Sequence, residues 1–393
     1  MIRQRPRLVL LGSMTKMPVA GVVWQTAHYL LGFERLGYEV HYVEAHARTP
    51  SMLMRSADDD GSVSAAAFIA GVMRRFDLSD RWAYQALHDD GACFGMSRAR
   101  LESLFGSAEL VINLHGGTHP RPEHYATDRL VYLGTDPVQL ELELACGDAD
   151  AIAFLEPHCA FFTFAENYGR PDCGLPVSER FELLPTRQPV LLDLWERSAS
   201  ARPEFTTIAN WRQRWREVTW EGETYHWSKH FEFMKRIDLP SRTSQALELA
   251  LANCGREDRD ALTRNGWRVR DALAFSTDAD AYRDYIATSR GEFTVAKDQN
   301  IRFRSGWFSD RAATYLAAGR PVITQDTGFG CALPTGDGLF AWSTDEEAVM
   351  ALEEVGGDWE RHSRAAREIA ETRFDARLVL GELLERVGAP CAS

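Results

Sequence analysis

Residues 305–330 read SGWFSDRAATYLAAGRPVITQDTGFG. The run after Ser309 has helical spacing, and Gly319-Arg320-Pro321 stops it, because glycine ends a helix readily and proline cannot continue one. A short apolar strand follows from Pro321 to Thr324, and then a polar turn with two glycines, QDTGFG. Such an order is ordinary α/β packing, but it also suits a phosphorylated ligand. Ser309 or Ser305 can cap a helix whose free N–H groups face residues 305–308, and unpaired donors together with the helix dipole attract anions. Arg311 adds a guanidinium able to grip phosphate with two parallel bonds. Asp326, Thr327 and Gly328 fall at the strand's C-terminal end, where open α/β sheets bind ligands. The plainer alternative is a surface ion pair at Arg311 and a simple turn at Gly328.

Bulk composition narrows the function classes. A chain of 393 residues is too long for one simple core and suggests two domains, or three small ones. It is 45% hydrophobic and 26% charged, as in globular proteins, and carries a net charge of −13 without a long basic run. Nucleic acid and anionic membranes are poor partners for such a surface. The seven cysteines are scattered, odd in number and never spaced as CxxC, which argues for free thiols in a reducing compartment and against a zinc knuckle. The N-terminal apolar run LVLLG is too short for a signal peptide or a membrane span. The expectation is a cytoplasmic protein with no integral membrane segment and no resident metal; the oligomeric state is not legible.

Strand RLVLLG, loop SMTKMPVAG, helix VVWQTAHYLLGFERLG and strand YEVHYVEA form one βαβ unit within the first 45 residues. Residues 46–105 read as helices and polar loops. Further apolar strands are expected in AELVINLHGG, DRLVYLGTDP, CAFFTFAENYG and PVLLDLW. Polar ERSASARPEF reads as a linker, after which a second α/β series begins with FTTIANW. The expected domains are 1–198 and 199–380, with a tail at 381–393. The fold class is α/β: two Rossmann-like domains facing across a cleft, with ligand between them.

The run SDRAATYLAAGRPVITQDTGFG, followed by TGDGLFAWSTDEEAVMALEEV, resembles the donor-binding half of GT-B glycosyltransferases. The likeness is strongest from Phe205 to Val379. It implies that the C-terminal domain holds a nucleotide diphosphate sugar, UDP- or dTDP-linked, and that no other cofactor is used. By the same resemblance, Lys229 in YHWSKHFEFMKRI matches a lysine on the donor diphosphate. Lys297 and the backbone around Ser305 and Gly306 would approach the sugar. One of Trp211, Trp215, Trp220 and Trp227 could stack on the base, although such tryptophans more often fill cores. Retaining members carry two glutamates eight positions apart; the matching positions here are Gly306 and Thr314. That leaves Asp310 or Asp326 as substitutes, and the stereochemical outcome stays open.

The N-terminal domain should hold a small-molecule acceptor. Transfer to a hydroxyl with inversion needs a base, commonly Asp, Glu or His. His115 with Gly116 in NLHGGTHP, and Asp136 in LGTDP, sit at strand ends that should face the cleft. Glu166 in FAENYG is a third such position. Lys16 and Gly21 lie in the loop after the first strand and should line the acceptor side. The DAD triplets at 148–150 and 278–280 read better as helix caps than as metal motifs. The expected activity is glycosyl transfer to a natural product, glycan or lipid-linked sugar. The alternatives are a nucleotide-sugar epimerase and a catalytically silent nucleotide-sugar binder.

Overall fold

The computed structural model describes residues 5–196, 202–213 and 216–389. Its first sheet contains β1 (Arg7–Leu11), β2 (Glu39–Glu44), β3 (Trp82–Gln85), β4 (Cys93–Gly95), β5 (Leu110–Leu114), β6 (Leu130–Gly134), β7 (Ala160–Thr163) and β8 (Leu183–Pro185). The spatial order is β4-β3-β2-β1-β5-β6-β7-β8. Every pair is parallel except β3 with β4. The runs RLVLL, LVINL and LVYLG are almost wholly buried, as parallel strands covered by helices on both faces must be.

The second sheet contains β9 (Glu204–Asn210), β12 (Ala246–Ala252), β13 (Arg268–Asp271), β14 (Gly291–Thr294), β15 (Val322–Gln325) and β16 (Leu339–Trp342). A hairpin of β10 (Val218–Trp220) and β11 (Glu223–Tyr225) projects from it. The order β13-β12-β9-β14-β15-β16 is all parallel. In each sheet the winding reverses beside the first strand, at β1/β5 and at β9/β14, which opens a crevice at the carboxyl ends of those strands. The two crevices face each other.

Several elements differ from the sequence expectation. PVLLDLW is not a strand: Leu192–Leu194 form a short 3-10 turn. Val190 instead exchanges backbone bonds with Phe374 and Ala376, because its apolar residues fill the seam between the domains. The eighth strand is β8. Region 46–105, read as helices and loops, holds β3 and β4. The helix Ala376–Arg386 runs through position 380, and its Leu380, Leu383 and Leu384 lie in the N-terminal core beside Phe33. Gly32 permits this contact: a Cβ there would stand 2.4 Å from Leu380 Cδ1.

The seam has its own apolar core, built from Trp24, Trp195, Phe308, Phe374 and Tyr282. Trp24 and Trp195 pack with ring centroids 5.2 Å apart, and Trp24 Nε1 donates to the Ala279 carbonyl at 2.8 Å. Arg75 pairs with Asp280 across the same junction. Among the described residues, no helix is long and apolar enough to cross a membrane.

Candidate active site

A cavity of about 390 Å³ lies between the domains. Its C-terminal wall comes from the ends of β9 and β12, at Asn210 and Asn253, and from Ala272 and Leu273 after β13. Lys229, Lys297, Trp307, Ser309, Asp310 and Arg311 continue that wall, while Val19, Gly21 and Gln25 of the N-terminal domain oppose it.

Lys229 stands just before the short helix His230–Met234 and is buried. Its ammonium lies 5.7 Å from the centre of the Trp307 ring. Among the described residues it forms no ion pair. Burial pushes its pKa well below the usual lysine value, and Arg311 and Lys297 add to that, with Glu292 and Asp136 opposing. A buried cation without a partner is costly, so an anion in the cavity would relieve it.

Lys297 is buried as well and lies at the start of the helix Asp298–Arg302. Its ammonium sits 3.2 Å from the centre of the Trp227 ring and 5.1 Å from that of Trp307. It crosses the cleft to donate to Asp136 Oδ1 at 2.7 Å. Arg216 approaches the other carboxylate oxygen at 3.3 Å. Burial alone would raise the Asp136 pKa, but Lys297 and Arg216 outweigh it and hold the carboxylate ionised. His115 has φ 64°, and its Nδ1 lies 2.8 Å from the Thr135 hydroxyl. Burial pulls its pKa down to about 4, so the ring is neutral at pH 7. Lys16 falls to about 8 through burial and the nearby charges of Arg48 and Arg216.

Arg311 is neither a surface cation nor a free one. Its Nε donates to Glu292 Oε1 at 2.5 Å, and its other nitrogens reach the Ile208 carbonyl and the Thr294 hydroxyl. Glu292 is fully buried on β14, and its Oε2 has no partner among the described residues. Ser309 is the N-cap of the helix Asp310–Ala317, but its side chain makes no capping bond. Asp310 lies on this helix start, and its Oδ1 is buried without a hydrogen-bond partner among the described residues. Burial, reinforced by the charge of Asp136, raises its pKa to about 7.

No protein-family model matches the sequence, and no curated protein matches it. Solved structures do match. An alpha-glucosyltransferase in complex with UDP and a mismatch-containing DNA aligns with TM-score 0.55 and 10% identity, covering 97% of this chain and 99% of that one. Sucrose-phosphate synthase from Thermosynechococcus elongatus gives TM-score 0.56 and 12% identity, with 98% and 99% covered. Anabaena HepE in complex with UDP gives the same TM-score and identity over 98% and 99%. The fold is GT-B.

The GT-B cleft gathers Lys229, Lys297, Ser309, Asp310, Arg311 and Gly21 around one cavity, with Asp136 reaching it through Lys297. Other expected positions lie elsewhere. Ser305 is fully buried, and its hydroxyl bonds to Asn300 Oδ1 at 2.8 Å. Gly306, with φ 80°, seals the domain seam: a Cβ there would stand 2.3 Å from the Asn167 nitrogen. The turn Asp326-Thr327-Gly328 closes on the same junction and does not line the cavity. Asp326 pairs with Arg304 at 2.8 Å, and Thr327 Oγ1 donates to the Trp307 carbonyl at 2.7 Å. A Cβ on Gly328 would stand 2.9 Å from Asn167 Nδ2. Gly116 turns the chain after β5 with φ 56°, against Tyr132. Glu166 pairs with Arg187 at 2.5 Å in a separate cavity.

Gln25, Arg216, Trp307 and Tyr282 were not singled out from the sequence. Each acts across the domain junction or the cavity, far from its partner along the chain, so no local spacing marks it. Trp227 lies against the Lys297 ammonium but does not line the cavity. Trp211 fills the second core and donates to Asp258; Trp220 lies on the hairpin, and Trp215 is outside the described residues. Asp148 and Asp278 cap helices by accepting from Ala151 and Ala281 nitrogens.

Proposed function

We propose that this protein transfers a sugar from a nucleotide diphosphate sugar to an acceptor hydroxyl, with the donor in the interdomain cavity. Lys229 carries the reading: a buried ammonium without a carboxylate, facing an open cavity beside Lys297 and a helix start. That arrangement suits a diphosphate, whose leaving charge needs preorganised donors. The UDP present in two of the aligned structures makes UDP the first donor nucleotide to test. The apolar positions Ala272 and Leu273 suit the base, and Asp310 is a carboxyl within reach of a ribose.

The acceptor is placed against His115, Lys16 and Asp136. Lys297 links the two half-sites, since it holds Asp136 and also lines the donor cavity. A diphosphate drawing Lys297 toward itself would weaken its hold on Asp136. The carboxylate would then become a stronger base when donor is present, which limits idle turnover. His115, neutral at pH 7, can accept a hydrogen bond from the acceptor hydroxyl. Closure of the cleft excludes water and so protects the donor from hydrolysis.

A melting-temperature screen against UDP, dTDP, GDP, ADP and their sugars tests the donor site. One nucleotide diphosphate should stabilise the protein, and Lys229→Met should abolish that shift. Stabilisation by none of them would sink the reading. Incubation of the selected donor alone should give no sugar isomer, whereas an acceptor library should give a transferred product.

A further inference from the structure

A second polar cavity, of about 400 Å³, lies outside the cleft on the far edge of the N-terminal sheet. Arg170 and Arg187 reach it from the loops after β7 and β8, and Arg386 comes from the C-terminal helix. Arg373 enters from the end of the helix Trp359–Arg373, whose Ala366 and Ile369 pack in the seam core beside Leu316 of the second domain. Two carboxyl groups, Glu166 and Glu382, face these four guanidinium groups. Glu382 is taken by Arg386, and Glu166 by Arg187 at 2.5 Å. Arg170 and Arg373 form no ion pair among the described residues.

Arg170, Arg373 and Arg386 are exposed at the mouth of this pocket, and Glu166 forms its buried floor. The Glu166 side chain is only 4% exposed, and its Oε1 has no hydrogen-bond partner among the described residues. Burial raises its pKa to about 7 against the pull of Arg187, so near neutrality its charge offsets only part of the positive charge around it. Several guanidinium forks converging from different elements match the oxygens of a phosphoryl group better than a single carboxylate.

We propose that this cavity binds a small soluble anion bearing phosphoryl groups, separately from the donor cleft, and that the ligand ties the two domains together. The second half follows from position. The next residue, Asn167, donates its backbone N–H to Ser305 O at 3.1 Å and its Nδ2 to Arg304 O at 2.8 Å. Cys331 Sγ contacts the Glu166 carbonyl at 3.6 Å. A ligand held by Arg170, Arg187 and Arg373 therefore braces the seam on which the cleft closes.

Isothermal titration with inorganic pyrophosphate tests this at fixed ionic strength, using the full chain. The proteins are wild type, Arg170→Gln/Arg373→Gln, Lys229→Met, and Arg264→Gln as a control at an exposed arginine that lines neither cavity. Wild type and control should show two sites. The double variant should lose one site, by at least tenfold in affinity, and keep its fold by circular dichroism. Lys229→Met should keep the site that the double variant loses. If Lys229→Met also keeps both sites, the donor assignment fails while this pocket stands. A double variant that binds pyrophosphate like the control, or a wild type whose only site disappears in Lys229→Met, overturns the proposal.

Discussion

Lys297 Nζ lies 2.7 Å from Asp136 Oδ1, and the two residues belong to different domains. The pair spans the cleft where transfer would occur, and the rings of Trp227 and Trp307 flank its ammonium. It thus couples the state of the donor half to the charge on the acceptor half.

Asp136→Asn keeps the shape of that side chain and removes its charge. If Asp136 accepts the acceptor's proton, kcat should fall by about 10²–10⁴-fold, the usual worth of a positioned base. Donor affinity should change by only a few-fold, because Lys229 is untouched. Steady-state kinetics with parallel UDP titration separates these effects. A full transfer rate in this variant would leave the carboxylate a purely structural tie.

Lys229→Met tests a cation that the folded protein keeps unpaired. Methionine has similar length and no charge to desolvate, so the ligand-free melting temperature should stay level or rise. The stabilisation by donor nucleotide should vanish with it. For wild type that stabilisation is about 2.7 kcal/mol when ligand stands at 100 times Kd. A variant that melts lower but still responds to nucleotide would contradict the assignment.

Arg311 and Glu292 should behave as a buried couple. Removing one partner strands the other charge, and such changes cost about 3–5 kcal/mol, whereas replacing both with apolar residues is often nearly neutral. Glu292→Ala should therefore destabilise strongly in urea titration. Arg311→Met with Glu292→Leu should be milder than either single change. A double variant that merely adds the two single costs would show that the ion pair is not the governing interaction.

The skeleton of both sheets was legible because parallel strands buried on both faces are apolar runs, as in RLVLL, LVINL and GRPVIT. β3 escaped because four residues, WAYQ, carry little pattern within a polar region. PVLLDLW misled for the opposite reason: its apolar side chains serve the domain seam, and hydrophobicity does not report which surface a residue covers. Lys229 and Lys297, picked out through resemblance, both line the interdomain cavity. The role of Gly306 was not. Its position suggested donor contact, but its positive φ and the 2.3 Å approach to Asn167 serve domain packing. The lone glutamate in the buried strand GEFT was the available clue that Arg311 is spoken for.

The pH dependence of stability should carry opposed contributions. Asp310 and Glu166 have folded pKa values near 7, raised by burial from ordinary carboxylate values of 3.8 and 4.5. Between about pH 4 and 7 the folded protein binds more protons at these two sites than the unfolded chain does, so they make stability fall as pH rises. Buried His28, His115, His124 and His158 act the other way. Their pKa values drop from 6.5 to about 3 for His28 and about 4 for the rest. Below pH 6.5 the unfolded chain takes up protons that the folded protein refuses, so stability is lost as pH falls. Asp310→Asn isolates the first effect. It removes a carboxyl that must ionise in a buried place, so the variant should gain on wild type as pH rises from 5 to 8, and the gain should level off above pH 8. Urea titrations at pH 5, 6, 7 and 8 measure the difference directly. If that difference stays flat across the series, Asp310 ionises with an ordinary pKa and burial does not raise it.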